Sequence, residues 1–311
     1  MKPVSRKIAC VALFIIAVLF FIACEEKRPK IDLQQPAAPF VPATSADTRP
    51  TLNIAVGAMI SPETTRAYYE DLLNLIAGKM NRRAEFAQRR TYAEVNEMVR
   101  KKEVDLAFVC AGPYTEGKKA FGMEMLVVPV ANGKTVYYSY IIAGKSSSIR
   151  SLDDLRGKKF AFTDPQSNTG SLVPTYMLAK KGETPQSFFR EVFYSNGHDN
   201  SIRAVADGQA DGAAVDSLIW EFINRVNPEL TGKTRVIAKS PPYGIPPVVV
   251  SAAIDGATKK RLKEIFLSLH EDKSAAPLLA KLQIDRFVEG NDAMYDSVRE
   301  MSRWLDKRAG K

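Results

Sequence analysis

Three short runs of this 311-residue chain carry small polar and ionisable side chains at spacings suited to holding an anion. The first is Asp164-Pro165-Gln166-Ser167-Asn168-Thr169-Gly170-Ser171. Pro165 stops a strand, Ser167, Asn168 and Thr169 offer hydroxyl and amide groups, and Gly170 lets the backbone approach a bound group closely. A helix starting here aims its free N–H groups and the positive end of its dipole into the same space, an arrangement that favours negative charge. The second run is Gly197-His198-Asp199-Asn200-Ser201 and the third is Val215-Asp216-Ser217. Covalent chemistry has little to work with. The chain has two histidines, His198 and His270, and three cysteines, with no base-and-nucleophile spacing and no metal-ligand spacing. The residues point to a binding protein rather than an enzyme, with no catalytic residue, no cofactor and no metal.

The elements around these runs alternate. Leu52–Val56 reads as a buried strand, and Ser61-Pro62 as N-cap and first position of a helix running to about Met80. Arg83–Gln88 alternates like a strand, and Thr91-Tyr92-Ala93-Glu94 is a capping box opening a helix to Lys102. Val104–Cys110 is a third strand, broken by Ala111-Gly112-Pro113-Tyr114. Thr135–Ala143 is a longer aromatic strand, followed by a capped turn at Ser151–Gly157. Then come strand Lys159–Thr163, the first polar run, and a helix to about Lys181 closed by Gly182. Glu191–Tyr194 and a helix ending near Gly208 form another unit, and Gly212–Val215 ends on Asp216. Strand Arg235–Lys239, a turn-rich Pro241–Pro247 and strand Val248–Ile254 precede a helical remainder from about Lys259. This alternation predicts an α/β fold with parallel βαβ units and no internal sequence repeat. In open α/β sheets ligands sit beyond the carboxyl ends of the strands, and all three polar runs leave such ends.

The N-terminus places the chain outside the cytoplasm. Lys2, Arg6 and Lys7 precede an apolar run from Ile8 to Ile22, too short to span a bilayer comfortably, which reads as a signal peptide over residues 1–24. Phe21-Ile22-Ala23-Cys24 resembles a bacterial lipobox, with Phe where Leu is commoner, so Cys24 becomes the lipid-bearing first residue of the mature chain. An uncleaved anchor is the alternative, and either gives an extracytoplasmic address on a bacterial membrane. Residues 25–50, with five prolines among charged and small residues, read as a flexible tether. Removing the three positive charges of the leader lowers the net charge from +9 to +6. The basic residues are spread through helices instead of gathered with aromatics, and the address excludes nucleic acid as the partner. Cys110, within an apolar strand, reads as a buried structural thiol.

The three polar runs, in this order, resemble the phosphonate-, phosphite- and phosphate-ester-binding proteins of ABC importers across roughly residues 51–270. The resemblance implies a monomeric, two-lobed periplasmic-binding-protein architecture of the second type, each lobe a mixed sheet flanked by helices. Lobe one would comprise 51–138 and 245–311, and lobe two 139–244. Two hinge strands would join them: Thr135–Ala143, and Val248–Ile254 or the segment just before it. The resemblance also gives roles. Ser167 and Thr169 hydroxyls hold oxyanion oxygens, with Asn168 and the backbone N–H groups of Thr169 and Gly170 beside them. His198 donates to the same oxyanion, and Asp216 occupies an acidic position that some members fill with an amide. The family usually has Ser-Thr-Ser before the glycine where this chain has Ser-Asn-Thr, so the oxygen geometry can differ.

An ionised Asp216 repels a dianion unless a proton lies between them, so the site should prefer a ligand with a P–OH group or an ammonium, for which Asp199 is a second partner. Lobe one must supply the other wall. Ser61 and Thr64 at the first helix start and Tyr114 after the third strand are the candidates, with Tyr68 and Tyr69 behind them. Asp164 and Ser201 have the simpler reading of loop and helix caps. The resulting function is capture of a small phosphorus oxyanion and delivery to ABC permease subunits. A lipoprotein sensor presenting its closed form to a receptor kinase, or an enzyme using Cys110, are the alternatives on the same fold.

Overall fold

The computed structural model describes residues 47–252 and 254–309; the signal peptide, Cys24 and most of the tether lie outside the described residues. Its strands form two larger sheets and one small ribbon. In the first sheet the order is β13-β4-β12-β3-β1-β2, from strands Thr51–Val56 (β1), Arg83–Gln88 (β2), Leu106–Phe108 (β3), Glu124–Val130 (β4), Val248–Val250 (β12) and Arg286–Val288 (β13). In the second the order is β10-β6-β9-β7-β8, from Ser139–Gly144 (β6), Lys159–Phe162 (β7), Glu191–Tyr194 (β8), Gly212–Asp216 (β9) and Thr234–Lys239 (β10). Val136–Tyr137 (β5) pairs with Tyr243–Gly244 (β11) between them.

The chain therefore crosses between lobes twice, and both crossings run through this antiparallel ribbon. The expected strand Thr135–Ala143 is two strands, β5 and β6, interrupted at Tyr138. The second hinge strand is β11, just before the expected Val248–Ile254; among the described residues of that stretch Val248–Val250 is a strand, and it belongs to the first sheet. Each sheet has a parallel core, β2-β1-β3 and β8-β7-β9, extended by antiparallel strands. Parallel strands covered on both faces need continuous apolar runs, and Leu52, Ile54, Ala55 and Val56 of β1 are buried, as are Phe160 to Phe162 of β7.

The helices pack where their capping chemistry starts them. Pro62–Lys79 (α1) follows N-cap Ser61 with Pro62 at its first position, where no N–H is needed. Tyr92–Arg100 (α2) opens with the full capping box of Thr91 and Glu94. Ala111–Phe121 (α3) is a helix where a strand break alone was expected. Gly112 and Pro113 fall in its first turn, where proline is tolerated because the turn's N–H groups lack intrahelical partners anyway. The helix Val173–Ala179 (α4) is preceded by a wider π turn over Asn168–Leu172. His198–Ala206 (α5) and Ser217–Val226 (α6) complete the second lobe's cleft-facing set, with short helical turns at Pro185–Phe188 and Pro228–Gly232. Gly256–Ser268 (α7), Ala276–Lys281 (α8) and Asp296–Ala309 (α9) follow, and β13 interrupts the expected all-helical remainder.

Candidate functional site

Second-lobe loops after β7, β8 and β9 bring Thr163–Thr169, His198 and Asp216 around one spot. All are buried at 0–2% exposure except Pro165 and Gln166, so the cleft residues lie sealed in the interior. Asp164 closes the start of the loop with its carboxylate, which accepts from Gln166 N–H at 2.8 Å and, from the other lobe, Tyr92 N–H at 3.1 Å. Burial holds its pKa above the ordinary carboxylate value. Ser167 Oγ accepts from Gly170 N–H at 3.0 Å, and Ser139 Oγ donates to Thr169 O at 2.6 Å. These bonds shape the π turn, a geometry often found at functional sites because it widens the ring of backbone groups.

Gly170 has a different reason from the expected one. A Cβ there would lie 2.5 Å from Thr163 Cβ and 3.1 Å from His198 Cε1. The glycine lets the turn pack directly on the residues that orient the imidazole, and its N–H is already taken by Ser167. Across the cleft, a Cβ on Gly112 would fall 2.1 Å from Gln166 O, so close approach of the lobes also depends on a missing side chain.

His198 is held at both ring nitrogens. Asp216 N–H donates to Nδ1 at 3.0 Å, so Nδ1 is the acceptor and the proton sits on Nε2. Thr163 Oγ1 lies 3.0 Å from the same Nδ1 and also reaches Ser201 Oγ and Ala214 O. Burial lowers the imidazole pKa to about 3. The ring is therefore neutral, presenting an N–H that lies 3.4 Å from the Tyr92 hydroxyl.

Asp216 caps α6, with Oδ1 accepting from Leu218 N–H at 2.8 Å. Its Oδ2 is buried without a hydrogen-bond partner, as are Thr169 Oγ1 and Asn168 Oδ1. Burial pushes the carboxyl up to about 7, against the opposing pull of the Leu218 and Ile219 N–H groups. Buried polar atoms normally have partners, so three partnerless oxygens on the loops after β7 and β9 are open to a polar ligand. The set contains acceptors, a donor on His198 and a carboxyl poised to share a proton. It is suited to an oxyanion that itself carries a proton.

Lobe one contributes differently from what its sequence suggested. Tyr114 is in α3, fully buried, and its hydroxyl donates to Asp292 Oδ1 at 2.6 Å. Ser61 and Thr64 hydroxyls bond each other at 2.9 Å, while Ser61 N–H donates to Asp199 Oδ2 at 2.9 Å. Together with His198 N–H donating to Met59 O at 2.9 Å, this latches the lobes. Tyr68 meets Phe222 edge-on at 4.7 Å, a further contact between lobes, and Tyr69 packs on Phe108. The phenols that do reach the cradle are Tyr92 and Tyr137. Asn168 Nδ2 donates to the Tyr137 hydroxyl at 3.1 Å, and burial holds both phenols far above their usual pKa, so both stay protonated. Tyr92 was legible only as the first residue of a capped helix, and Tyr137 only as a strand aromatic. Their placement at the carboxyl end of β2 and at the first crossing was the signal available.

Cys110 is the N-cap of α3, with no exposed surface, and its Sγ lies 3.5 Å from the Tyr137 hydroxyl. Burial and the nearby Asp216 push its thiol up, opposite to what a thiolate nucleophile requires. Ser201 caps nothing: its hydroxyl joins Thr163 and Ser195.

A family model described as ABC transporter, phosphonate, periplasmic substrate-binding protein matches residues 54–295. The Phosphonates-binding periplasmic protein of Escherichia coli is 24% identical over 275 residues, which is 87% of this chain and 81% of that protein. The Phosphate-import protein PhnD of Mycolicibacterium smegmatis is 27% identical, covering 83% and 87%. Among solved structures, a binding protein component of an ABC phosphonate transporter from Pseudomonas aeruginosa superposes with a TM-score of 0.78 at 26% identity, over 82% of this chain and 86% of that one. PhnD1 of Prochlorococcus marinus, solved with methylphosphonate, shares the fold with a TM-score of 0.76 at 19% identity, over 83% and 98%.

Proposed function

Since the chain belongs to the family of phosphonate periplasmic substrate-binding proteins of ABC transporters, we propose that it closes around a small phosphorus oxyanion and presents it to permease subunits. The observation that carries this is that Thr169 Oγ1, Asn168 Oδ1 and Asp216 Oδ2, on loops tied together through the neutral His198, are all buried without partners. A ligand contacting both lobes shifts the population toward the closed form, which the permease can distinguish. Hydrogen bonds to a charged group contribute roughly 1.5–3 kcal/mol each, and the Thr169 hydroxyl and the His198 Nε2–H are two donors for them. Capture needs no bond to be made or broken, so the chain acts as a carrier and not as an enzyme.

In our reading, residues 51–138 with 245–311 form one lobe and 139–244 the other, supported by the pairing of strands within each sheet. The mature protein is extracytoplasmic and works as a monomer, held to the membrane by lipid on Cys24. The Phe21-Ile22-Ala23-Cys24 run supports that anchor. Loss of membrane association in Cys24→Ser checks it.

Thermal melting with phosphite, methylphosphonate, phosphate and sulfate tests the ligand class. A phosphorus oxyanion at a hundred times its Kd should add about 2.7 kcal/mol of stability. For a protein of this size that is a rise of roughly 5–10 °C. No rise with any phosphorus oxyanion would refute the reading.

A further inference from the structure

The cradle accounts for a head group and leaves the rest of the ligand open. Resting on the reading that this head group is a phosphorus oxyanion, we propose that the natural ligand is a phosphonate or phosphate monoester bearing an apolar organic substituent, lodged in the cavity between the first-lobe loop after β1 and helix α6. Asp216 belongs to both spaces: it lines this cavity and carries a cradle oxygen without a partner. From there the walls are apolar on both sides. Met59, Ile60 and Phe108 face it from the first lobe, and Leu218, Ile219 and Phe222 from the second. The lining extends from Asp216 to the exposed Asn132.

Three substituent classes can be weighed against those walls. A bare oxyanion would not use the cavity. A substituent ending in an ammonium would need acceptors along it. Beyond Asp216 the lining offers one carboxylate, Glu221, whose Oε1 accepts from the Tyr140 hydroxyl at 2.7 Å. An alkyl or aryl group matches the apolar side chains that make up most of the lining, with Gln283, whose Nε2 is buried without a partner, as a polar exception. Because each lobe supplies one wall, such a group is contacted on both sides only when the lobes close. Its burial therefore adds directly to the preference for the closed form, in proportion to its apolar area.

The test is titration calorimetry at one pH with inorganic phosphate, methylphosphonate, n-butylphosphonate, n-butyl phosphate and 2-aminoethylphosphonate. Each methylene moved from water into the cavity should tighten binding about fourfold. The n-butyl compound should then bind about fifty times more tightly than methylphosphonate, which has three fewer methylenes. Tight binding of n-butylphosphonate, n-butyl phosphate or both supports the proposal and separates the phosphonate source from the ester. Ile219→Trp, which fills the space, should erase the ratio between butyl and methyl ligands. The proposal is overturned if butyl and methyl ligands bind equally, if inorganic phosphate or 2-aminoethylphosphonate binds more tightly than the butyl compounds, or if the ratio survives in Ile219→Trp. Failure of every one of these anions to bind would instead remove the head-group reading on which the proposal stands.

Discussion

The two lobes repeat one frame and divide the chemistry. Reading across each sheet gives β2-β1-β3-β12-β4 in one and β8-β7-β9-β6-β10 in the other, with parallel strands on one side and antiparallel ones on the other in both. Equivalent positions carry unlike residues. After β1 comes the apolar Ala58-Met59-Ile60, and after β7 the polar Thr163 to Thr169. The strand-to-helix N-cap is Cys110 after β3 and Asp216 after β9. Topology thus supplies two similar edges, and in the proposed reading side-chain identity assigns charge to the second lobe and phenols, a carbonyl and an apolar wall to the first. Such a division suits a clamshell in which one lobe holds the ligand first and the other closes on it.

The sharpest way to break that comparison is to remove the second lobe's central donor. His198→Ala deletes the Nε2–H and leaves the Asp216 amide without its acceptor, about 1–3 kcal/mol for that buried group, while Thr163 keeps Ala214 O and Ser201. We expect phosphonate capture to fall more than a hundredfold in calorimetry and the melting temperature to drop with it. Thr169→Val, which keeps shape and removes one unpartnered hydroxyl, isolates the ligand contact. It should weaken capture about thirtyfold, the equivalent of about 2 kcal/mol, with little change in the melt of the ligand-free protein. The matching first-lobe change, Tyr92→Phe, should cost less, about fivefold, because a neutral phenol at the far wall loses one bond of about 1 kcal/mol. If Tyr92→Phe proved the more damaging of the pair, the division of labour between lobes would be reversed.

Asp216 sharpens the comparison through pH. Its folded pKa of about 7 lies above the ordinary carboxyl value of 3.8, so it favours the folded state fully below 3.8 and loses that contribution as pH rises toward 7. His198 runs the other way. Its folded pKa of about 3 lies below the ordinary 6.5, so its contribution is present above 6.5 and lost as pH falls toward 3. Between those limits the two slopes oppose, and Asp216→Asn should expose the histidine's slope in melts at pH 4 to 7. In binding, an ionised Asp216 repels a dianion, so affinity for an alkylphosphonate should fall several-fold as pH rises through about 7, and less so in Asp216→Asn. An affinity that rises across that interval would mean that the carboxyl shares no proton with the ligand.

Much of this site was legible as residue types, because Asp164–Ser171, Gly197–Ser201 and Asp216 are polar runs at strand ends, where little else explains them. The frame was legible too, where capping boxes and prolines mark helix starts, as at Thr91 and Pro62. What stayed hidden has a physical cause in each case. Gly112-Pro113 carries the same local signal whether it ends a strand or fills the first turn of a helix, and only the packing of α3 chooses. Tyr92 and Tyr137 look like core aromatics because they are buried; their hydroxyls matter through partners more than 30 positions or a whole lobe away in the chain. The duplication of the sheets left no sequence repeat, since strand order constrains apolar patterning and not identity.

The smallest expected effect is also the cleanest control on lobe one. Tyr114 was a reasonable ligand candidate by its position after β3, yet its hydroxyl donates to Asp292, which also receives Arg299 Nη2 at 2.6 Å. Its ring packs against Tyr295 at 4.7 Å between centroids, within the first lobe. Tyr114→Phe keeps that packing and deletes one charge-assisted bond to a carboxylate that retains its arginine. Phosphonate affinity should stay the same within error, and stability should fall by about 1 kcal/mol in urea melts. A loss of affinity without a loss of stability would show that lobe one reaches the ligand through α3 after all, which would move the apolar wall and the phenol wall of the cleft relative to one another.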